Sequence, residues 1–435
     1  MNVATKIIIG LTTIGTIGFV ATPLIYQKQI DKTINSQINK YNIKQLKQND
    51  SFTKINREYI LTITNAKDII LKLNPKIDSV SLQDLSALLE NTQFLIKVNF
   101  LKYPIYHKNA ITLELISFNK EIEKELTSFE EGKKFLDFIK NKGIQTFIDI
   151  NNLEISKIKQ KDINFKVIYP DNSPFIIQTK NLYIDINKNK ITTNISKLFY
   201  QTAQRDISIN NLKYSKDSKN IFNFSSNIKI DSVKYTSSIL GLGIEINNLS
   251  QKMKNTNIIN SLNIKSELDV NSIKIADNYN SIIINKLKTN YKISKIDLNS
   301  LKLLINNPKN DKIANEAISN ILAKGFEIKI KPFSIENIEL NLRNKVNISK
   351  FSLSLQAKEK QNHFKFNLKN TEELLKNFEA NLNITTTKEN INLLSTINPL
   401  IPMYLQSMMV EKNGFVFINL EYKNEHILSK GKVLF

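Results

Sequence analysis

The chain has 435 residues, a formal net charge of +21 and no cysteine. The lack of cysteine excludes disulfides, thiolate metal sites and cysteine catalysis. Only Arg57, Arg205 and Arg343 are arginines, so lysine supplies nearly all of the excess charge. Because bidentate phosphate recognition favours arginine and the lysines are scattered, we expect a solvated lysine surface and no nucleic-acid partner. Attraction to anionic lipid headgroups is the alternative use of this charge.

The stretch from Ile7 to Tyr26 contains no charged residue. A bilayer core of about 30 Å needs about 20 apolar residues in a helix, which this stretch supplies. Cleavage after Ala21 is the weaker alternative, because the large Phe19 would occupy the other position that needs a small residue. The sequence therefore predicts a cytoplasmic tail over 1–6, a transmembrane signal anchor over 7–26, and the remaining chain in the periplasm of a bacterial inner-membrane protein.

Isoleucines recur every four residues after this stretch, at Ile30, Ile34 and Ile38. One apolar stripe among Gln, Asn and Lys is typical of an amphipathic helix. We predict a stalk helix over 27–48, followed by a β-rich envelope domain over 49–435 with one candidate subdivision near 306–311.

Helical spacing of apolar residues recurs in the body of the chain. Ser81, followed three residues later by Asp84, predicts an N-cap, and Gly143 follows the longest stretch where a helix stop is expected. Glu121, Glu123 and Glu125 have no histidine nearby, so a solvated face is favoured over a metal site. The predicted helices cover 65–73, 81–91, 119–142, 311–324 and 398–409.

Between Ile144 and Asn306 the apolar period changes from 3.6 to two. Short alternating runs separated by Asn, Ser, Lys or Asp predict a meander of antiparallel strands with one apolar face, and one of these runs is Leu301, Leu303 and Ile305. The fold class is therefore mainly β (α+β): an N-terminal transmembrane helix, then a long curved antiparallel sheet with a few packed helices. An I-N-x-L phrase recurs at 150–153, 209–212, 246–249, 259–262 and 284–287. Because its spacing is irregular, it does not indicate a true repeat, and abundant Ile and Asn would generate some of these phrases by chance.

The C-terminal third carries a family resemblance. The helix over 311–324 runs into GFEIKIKPFSIEN (325–337), and PLIPMYLQSMMVEKNGFVFINLEYKNEHILSKGKVL (399–434) follows later. This combination resembles the YdgA-like family of bacterial envelope proteins, which carry one N-terminal membrane helix and have no established catalytic residues. That family's β-rich plan is similar to the AsmA-like, lipid-handling proteins, so the resemblance implies an envelope role without enzymatic activity. The chain departs from the family at Asn424, Glu425 and His426, where a glycine turn is usual.

Motifs for catalysis or cofactors are absent from the sequence. His107, His363 and His426 each lack a second ligand at metal-binding spacing. The sequence 240–243 (LGLG) lacks the third glycine of a dinucleotide fingerprint, so a turn is predicted there. We therefore predict no enzyme, no cofactor and no catalytic or metal-binding residues.

The predicted one-sided sheet leads to two functional hypotheses. The apolar face could line a groove that holds lipid, or it could be covered while the stalk or a sheet edge binds an envelope protein partner. Ile264 and Val270 fall on the apolar alternation. A charge at either position is expected to unfold a closed core but not an open groove.

Overall fold

A computed structural model describes most of the chain beyond the N-terminal region. It divides into unit 1 (residues 1–172 and 176–187) and unit 2 (173–175 and 188–435), which are described separately. The predicted subdivision at 306–311 lies inside unit 2, between two helices. The described residues are 43–51, 54–73, 77–101, 111–148, 155–168, 171–187, 189–220, 222–307, 310–341, 345–359, 376–397 and 405–434.

The predicted anchor over 7–26 and most of the stalk lie outside the described residues. Within the described part of the chain, no helix is long and apolar enough to cross a bilayer. Residues 43–48, which we predicted as the end of the stalk helix, instead form a strand. Pairing with the next strand explains the change, because that strand supplies backbone partners for Ile43 to Gln48.

Unit 1 is an antiparallel sheet of short strands with helices in its connections. Its strands pair in the order β1-β2-β3-β4-β5-β6-β9. The strands are β1 (Ile43–Gln48), β2 (Lys54–Thr62), β3 (Gln93–Leu101), β4 (Ile111–Ser117), β5 (Ile144–Ile148), β6 (Ile155–Gln160), β7 (Ile163–Ile168), β8 (Pro174–Lys180) and β9 (Tyr183–Asn187). The helices are α1 (Ala66–Leu73), α2 (Ser79–Leu89), α3 (Lys120–Thr127) and α4 (Glu130–Lys140).

The long helix predicted over 119–142 is two helices, α3 and α4. Ser128 Oγ donates to the Glu125 carbonyl, which closes the last turn of α3, and Phe129 is extended before α4 begins. A Cβ on Gly132 would lie 1.9 Å from the Leu126 carbonyl oxygen, so only glycine permits this tight turn. The N-cap predicted at Ser81 is also displaced, because Asp78 caps α2 by accepting from the Ser81 N–H.

The core of unit 1 lies on β2, β3 and β4. Ile55 is fully buried, Tyr59 and Val98 are each 2% exposed, and Ile111 packs beside them. Charged groups in the same sheet are paired: Glu114 accepts from Lys97 Nζ at 2.9 Å and from Gln145 Nε2 at 2.7 Å. Burial acts to raise the pKa of Glu114, but these hydrogen bonds outweigh it and lower the pKa.

Unit 2 is a meander of long antiparallel strands. Its strands pair in sequence from β10 to β18, and β20 then pairs with β18 on one edge and with β19 and β21 on the other. The strands are β10 (Lys190–Gln201), β11 (Arg205–Asn220), β12 (Asn223–Ser237), β13 (Leu242–Ile258), β14 (Ser261–Ala276), β15 (Ser281–Asp297), β16 (Glu327–Asn341), β17 (Lys345–Glu359), β18 (Phe378–Thr387), β19 (Met409–Lys412), β20 (Phe415–Lys423), β21 (His426–Ser429) and β22 (Lys432–Val433).

Three helices are described in unit 2: α5 (Leu298–Asn306), α6 (Asp311–Lys324) and α7 (Lys388–Ile397). Helix α5 corrects the prediction of a strand through Leu301, Leu303 and Ile305. Asp297 ends β15 and caps α5 by accepting from the Ser300 N–H at 2.9 Å, and its other oxygen accepts from Lys324 Nζ of α6 at 2.7 Å. The helix predicted at 398–409 lies largely outside the described residues, and its last residue begins β19.

Candidate functional site

The apolar surface of the long strands is the candidate site. On β13, Leu249 lies between Ile230 of β12 and Val270 of β14. Similar rows cross neighbouring strands because the register places aliphatic residues opposite one another. We name this surface the apolar face, and on β11–β15 its central rows contain Leu212, Ile230, Leu249, Val270 and Leu287, and Ile209, Val233, Ile246, Ile273 and Ile284.

The apolar face is only half-buried where it crosses β10 to β13. All residues of these four strands are described, and none of their hydrophobic side chains falls in the buried class. Burial begins at β14, where Leu262 and Val270 are each 2% exposed. Helices α5 and α6 pack on β15, and α7 packs on β17 and β18. Strands β10 to β13 thus have no buried hydrophobic side chain, whereas β14, β16 and β17 each have at least one.

One row of residues crosses the sheet without ladder pairing. Within it, Asn211, Asn248, Lys286 and Lys350 have left-handed backbones with φ between 48° and 51°, and from Asn211 onward every member is exposed. Residues on both sides of this row have ladder partners on the neighbouring strands. The register between neighbouring strands is the same on the two sides of the row. We name it the polar crease: Ser196, Asn211, Asp231, Asn248, Asn271, Lys286, Glu336 and Lys350.

The apolar alternation changes phase at the crease. On β13 the apolar residues fall on even numbers up to Ile246 and on odd numbers from Leu249, and each strand from β11 to β17 shows such a shift. A bulge adds one residue to a strand and displaces its alternation by one position. The break in the ladder, the left-handed residues on alternate strands and the phase shift together place one extra residue on every strand at the same level, so that partner strands keep their register. The aliphatic residues on both sides of the crease therefore share one face.

Polar side chains stabilise the positions next to the crease. Asn210 Nδ2 donates to Ser232 Oγ at 2.8 Å, and Asn247 Nδ2 donates to Ser272 Oγ at 3.1 Å. At the far end, Asn390 of α7 is 5% exposed and its Oδ1 accepts from the Ser349 N–H at 3.1 Å. These bonds link adjacent strands in pairs and attach α7 to the end of the row.

Family models, curated proteins and solved structures contain no match to this chain. The resemblance to the YdgA-like family therefore stays a prediction, and function has to be argued from the residues alone. The I-N-x-L phrase is the sequence signal of the crease on three strands, because its third residue is Asn211, Asn248 or Lys286. On these strands the phrase therefore marks a structural feature and is not explained by the abundance of Ile and Asn alone.

The positions singled out in the sequence have different environments. Val270 is buried, whereas Ile264 on the same strand is half-buried. His426 is exposed at the start of β21, and His107 and His363 lie outside the described residues. No cluster of metal-ligating side chains occurs among the residues that the structure describes.

Five buried side-chain atoms of unit 2 lack a hydrogen-bond partner within the described part of the chain, on Asn227, Asn255, Ser294, Glu359 and Ser429. Asn255 Oδ1 lies on β13, where the residue is 7% exposed. Glu359 Oε2 lies at the end of β17, where the residue is 5% exposed. Burial raises the pKa of Glu359 to about 7, so this carboxyl is neutral in mildly acidic solution.

Proposed function

We propose that the chain is a non-enzymatic, membrane-anchored protein of the bacterial envelope that binds lipid on the apolar face. The supporting observation is that four long strands carry alternating aliphatic residues, none of which is buried. Contiguous apolar surface of this kind is uncommon on soluble proteins and marks binding sites. An acyl chain would cover the half-buried rows of β10 to β13.

The chemistry of the face favours hydrocarbon over a protein partner. Its two central rows consist of isoleucine, leucine and valine, with polar groups collected at the crease, and tyrosine occurs only farther out, as at Tyr214 and Tyr235. Energetically dominant residues of protein interfaces are enriched in Trp, Tyr and Arg, and this chain has no Trp and only three arginines. Lipid is therefore the better occupant, and an envelope protein partner is the alternative that the experiment must distinguish.

The proposed location follows from the sequence. The uncharged stretch over 7–26 would hold the chain in the inner membrane, with residues 1–6 in the cytoplasm and the bulk in the periplasm. A lysine-rich surface with net charge +21 suits the neighbourhood of anionic headgroups. A curved sheet would turn the apolar face into a groove with the crease crossing it.

The experiment compares two adjacent substitutions that add the same charge. Leu249→Asp places a carboxylate on the apolar face, while Asn248→Asp places one on the exposed crease, where Asp tolerates the left-handed backbone. The full-length protein is purified in mild detergent, and bound lipid is measured by native mass spectrometry beside the melting temperature. We expect the parent and Asn248→Asp to carry lipid and Leu249→Asp to lose it while staying folded.

Two outcomes would contradict the proposal. Unfolding of Leu249→Asp together with a lipid-free parent would indicate a covered face. A folded, lipid-free parent that retains an envelope protein lost in Leu249→Asp would favour the interaction protein.

A further inference from the structure

The hairpin between β13 and β14 ends in two exposed isoleucines. Ile258 is 58% exposed and Ile259 is 94% exposed. Ile259 also has φ +46°, a conformation that β-branched residues rarely adopt. Tight hairpin turns favour Asn or Gly at such positions. Ile259 therefore costs free energy both through its strained backbone and through its exposed side chain, which points to a function at the tip.

Helix α5 extends the apolar surface beside this tip. The Leu298 N–H donates to the Asn260 carbonyl at 2.9 Å, which fixes the start of α5 against the hairpin turn. Leu303 and Ile305 of α5 are 46% and 51% exposed. We name Ile258, Ile259, Leu303 and Ile305 the apolar tip.

A basic hollow of about 370 Å³ lies on the strands that lead to the apolar tip. Its lining contains five lysines, including Lys252 and Lys254 of β13, against the two acidic residues Asp217 and Glu267. Lys265 pairs with Glu267 at 2.7 Å, which leaves an excess of positive charge near the tip. Aliphatic groups beside lysines are the combination that binds the interface of an anionic bilayer.

The opposite ends of the same strands provide an internal contrast. Ile239, Leu240 and Tyr279 are also well exposed there, at 68%, 67% and 90%. The hollow beside them is lined by one basic residue, Arg205, and two acidic residues, Asp206 and Asp277. Apolar exposure occurs at both ends, but the hollow with an excess of lysines lies at the β13–β14 end.

We propose that the apolar tip docks unit 2 on the surface of a bilayer containing anionic lipid. Ile258 and Ile259 enter the headgroup region, and Lys252 and Lys254 contact the lipid phosphates. This membrane contact is separate from the predicted anchor at 7–26. It does not depend on lipid binding by the apolar face.

Tryptophan fluorescence can test the docking because the chain contains no Trp. Ile259→Trp places the only tryptophan at the apolar tip, and Tyr279→Trp places it at the opposite end as the matched control. The full-length variants are reconstituted in phosphatidylglycerol vesicles or phosphatidylcholine vesicles, each with and without brominated acyl chains. We expect a blue shift and quenching only for Ile259→Trp in phosphatidylglycerol. Replacing Lys252 and Lys254 by Gln should weaken this response roughly fivefold for each lysine.

Three results would overturn the docking proposal. They are unquenched emission from Ile259→Trp in phosphatidylglycerol, equal quenching in both lipids, and quenching of Tyr279→Trp instead. Unquenched tryptophan in a protein that still carries bound lipid would refute docking alone and leave the proposed lipid binding standing. A site for a protein partner would also leave both variants unquenched.

Discussion

The two units of this protein use antiparallel strands in different ways. In unit 1, strands of five to nine residues surround a cluster in which Ile55, Tyr59 and Val98 are almost inaccessible. In unit 2, strands β10 to β13 have 12 to 17 residues and no buried hydrophobic side chain. Unit 2 has a core cluster of its own at Ile391, Val416 and Ile418, so the contrast lies between that core together with the core of unit 1 and the strands β10 to β13, where backbone pairing dominates.

This difference explains how one face of unit 2 can stay open. A continuous ladder satisfies the backbone groups of the central strands, which removes the largest penalty of an exposed sheet. The polar crease interrupts that ladder at one level across the sheet, and isolated register shifts interrupt it elsewhere, as between Lys288 and Tyr291 of β15. A sheet held in this way has aliphatic surface available for a ligand, whereas the closed core of unit 1 has none.

The largest expected effect contrasts the two sheets directly. Ile55→Ala removes a fully buried side chain and should destabilise unit 1 by about 2–5 kcal/mol. Ile246→Ala removes a half-buried side chain from β13 and should cost about 1 kcal/mol. Hydrogen exchange measured separately on β2 and β13 during urea titration reports each unit. Equal losses at both sites would show that β13 has a core like that of unit 1.

The second prediction concerns buried carboxyl groups, which are paired in unit 1 and, among the described residues, unpaired at Glu359 of unit 2. Unit 1 pairs Glu114 with Lys97, whereas Glu359 of unit 2 has its pKa raised from 4.5 to about 7 by burial. The folded state therefore holds the proton more tightly than the unfolded state. The stability from Glu359 is present below about pH 4.5 and is lost as pH rises through about 7.

Glu359→Gln removes the titrating carboxyl and is the reference for the measurement. Between pH 5 and pH 8, the parent should lose about 2–3 kcal/mol of unfolding free energy relative to Glu359→Gln. Urea denaturation at both pH values measures the difference. The same pH dependence in both proteins would mean that Glu359 is solvated or paired.

The smallest effect concerns the crease. Asn248→Val forces a β-branched residue into a backbone with φ 51° and should cost about 1–2 kcal/mol. Asn248→Gly should be close to neutral because glycine adopts this conformation freely. Asn194→Val, at an exposed position of β10 outside the crease, is the matched control and should not destabilise. A tolerated valine at 248 would contradict the left-handed backbone at this position.

Local patterns predicted much of the secondary structure. Strict alternation identified β17 through Phe351, Leu353 and Leu355, and helical spacing identified α6 with its stop at Gly325. The run Leu301–Leu303–Ile305 failed because Asp297 caps the segment and Lys324 fixes that cap from α6, which alternation does not encode. The break at Ser128 similarly depends on close packing of Gly132 against Leu126.

The candidate site was predictable only in part. The apolar alternation was visible, but the burial of each strand is set by contacts far apart in sequence, which alternation does not encode. The crease left a signal in the I-N-x-L phrase on β11, β13 and β15. On β17 the equivalent segment is Ile348-Ser349-Lys350-Phe351, and only the register aligns it with the others. The apolar tip likewise depends on α5 lying beside the β13–β14 turn.

The most direct test of lipid binding uses the alternation itself. A photoreactive amino acid at Leu249 lies on the apolar face, and the same amino acid at Ser250 lies on the opposite face of β13. After irradiation of cells producing each full-length variant, covalent adducts are identified by mass spectrometry. We predict lipid adducts at 249 and none at 250. A protein adduct at 249, or equal labelling at both positions, would contradict lipid binding on the apolar face.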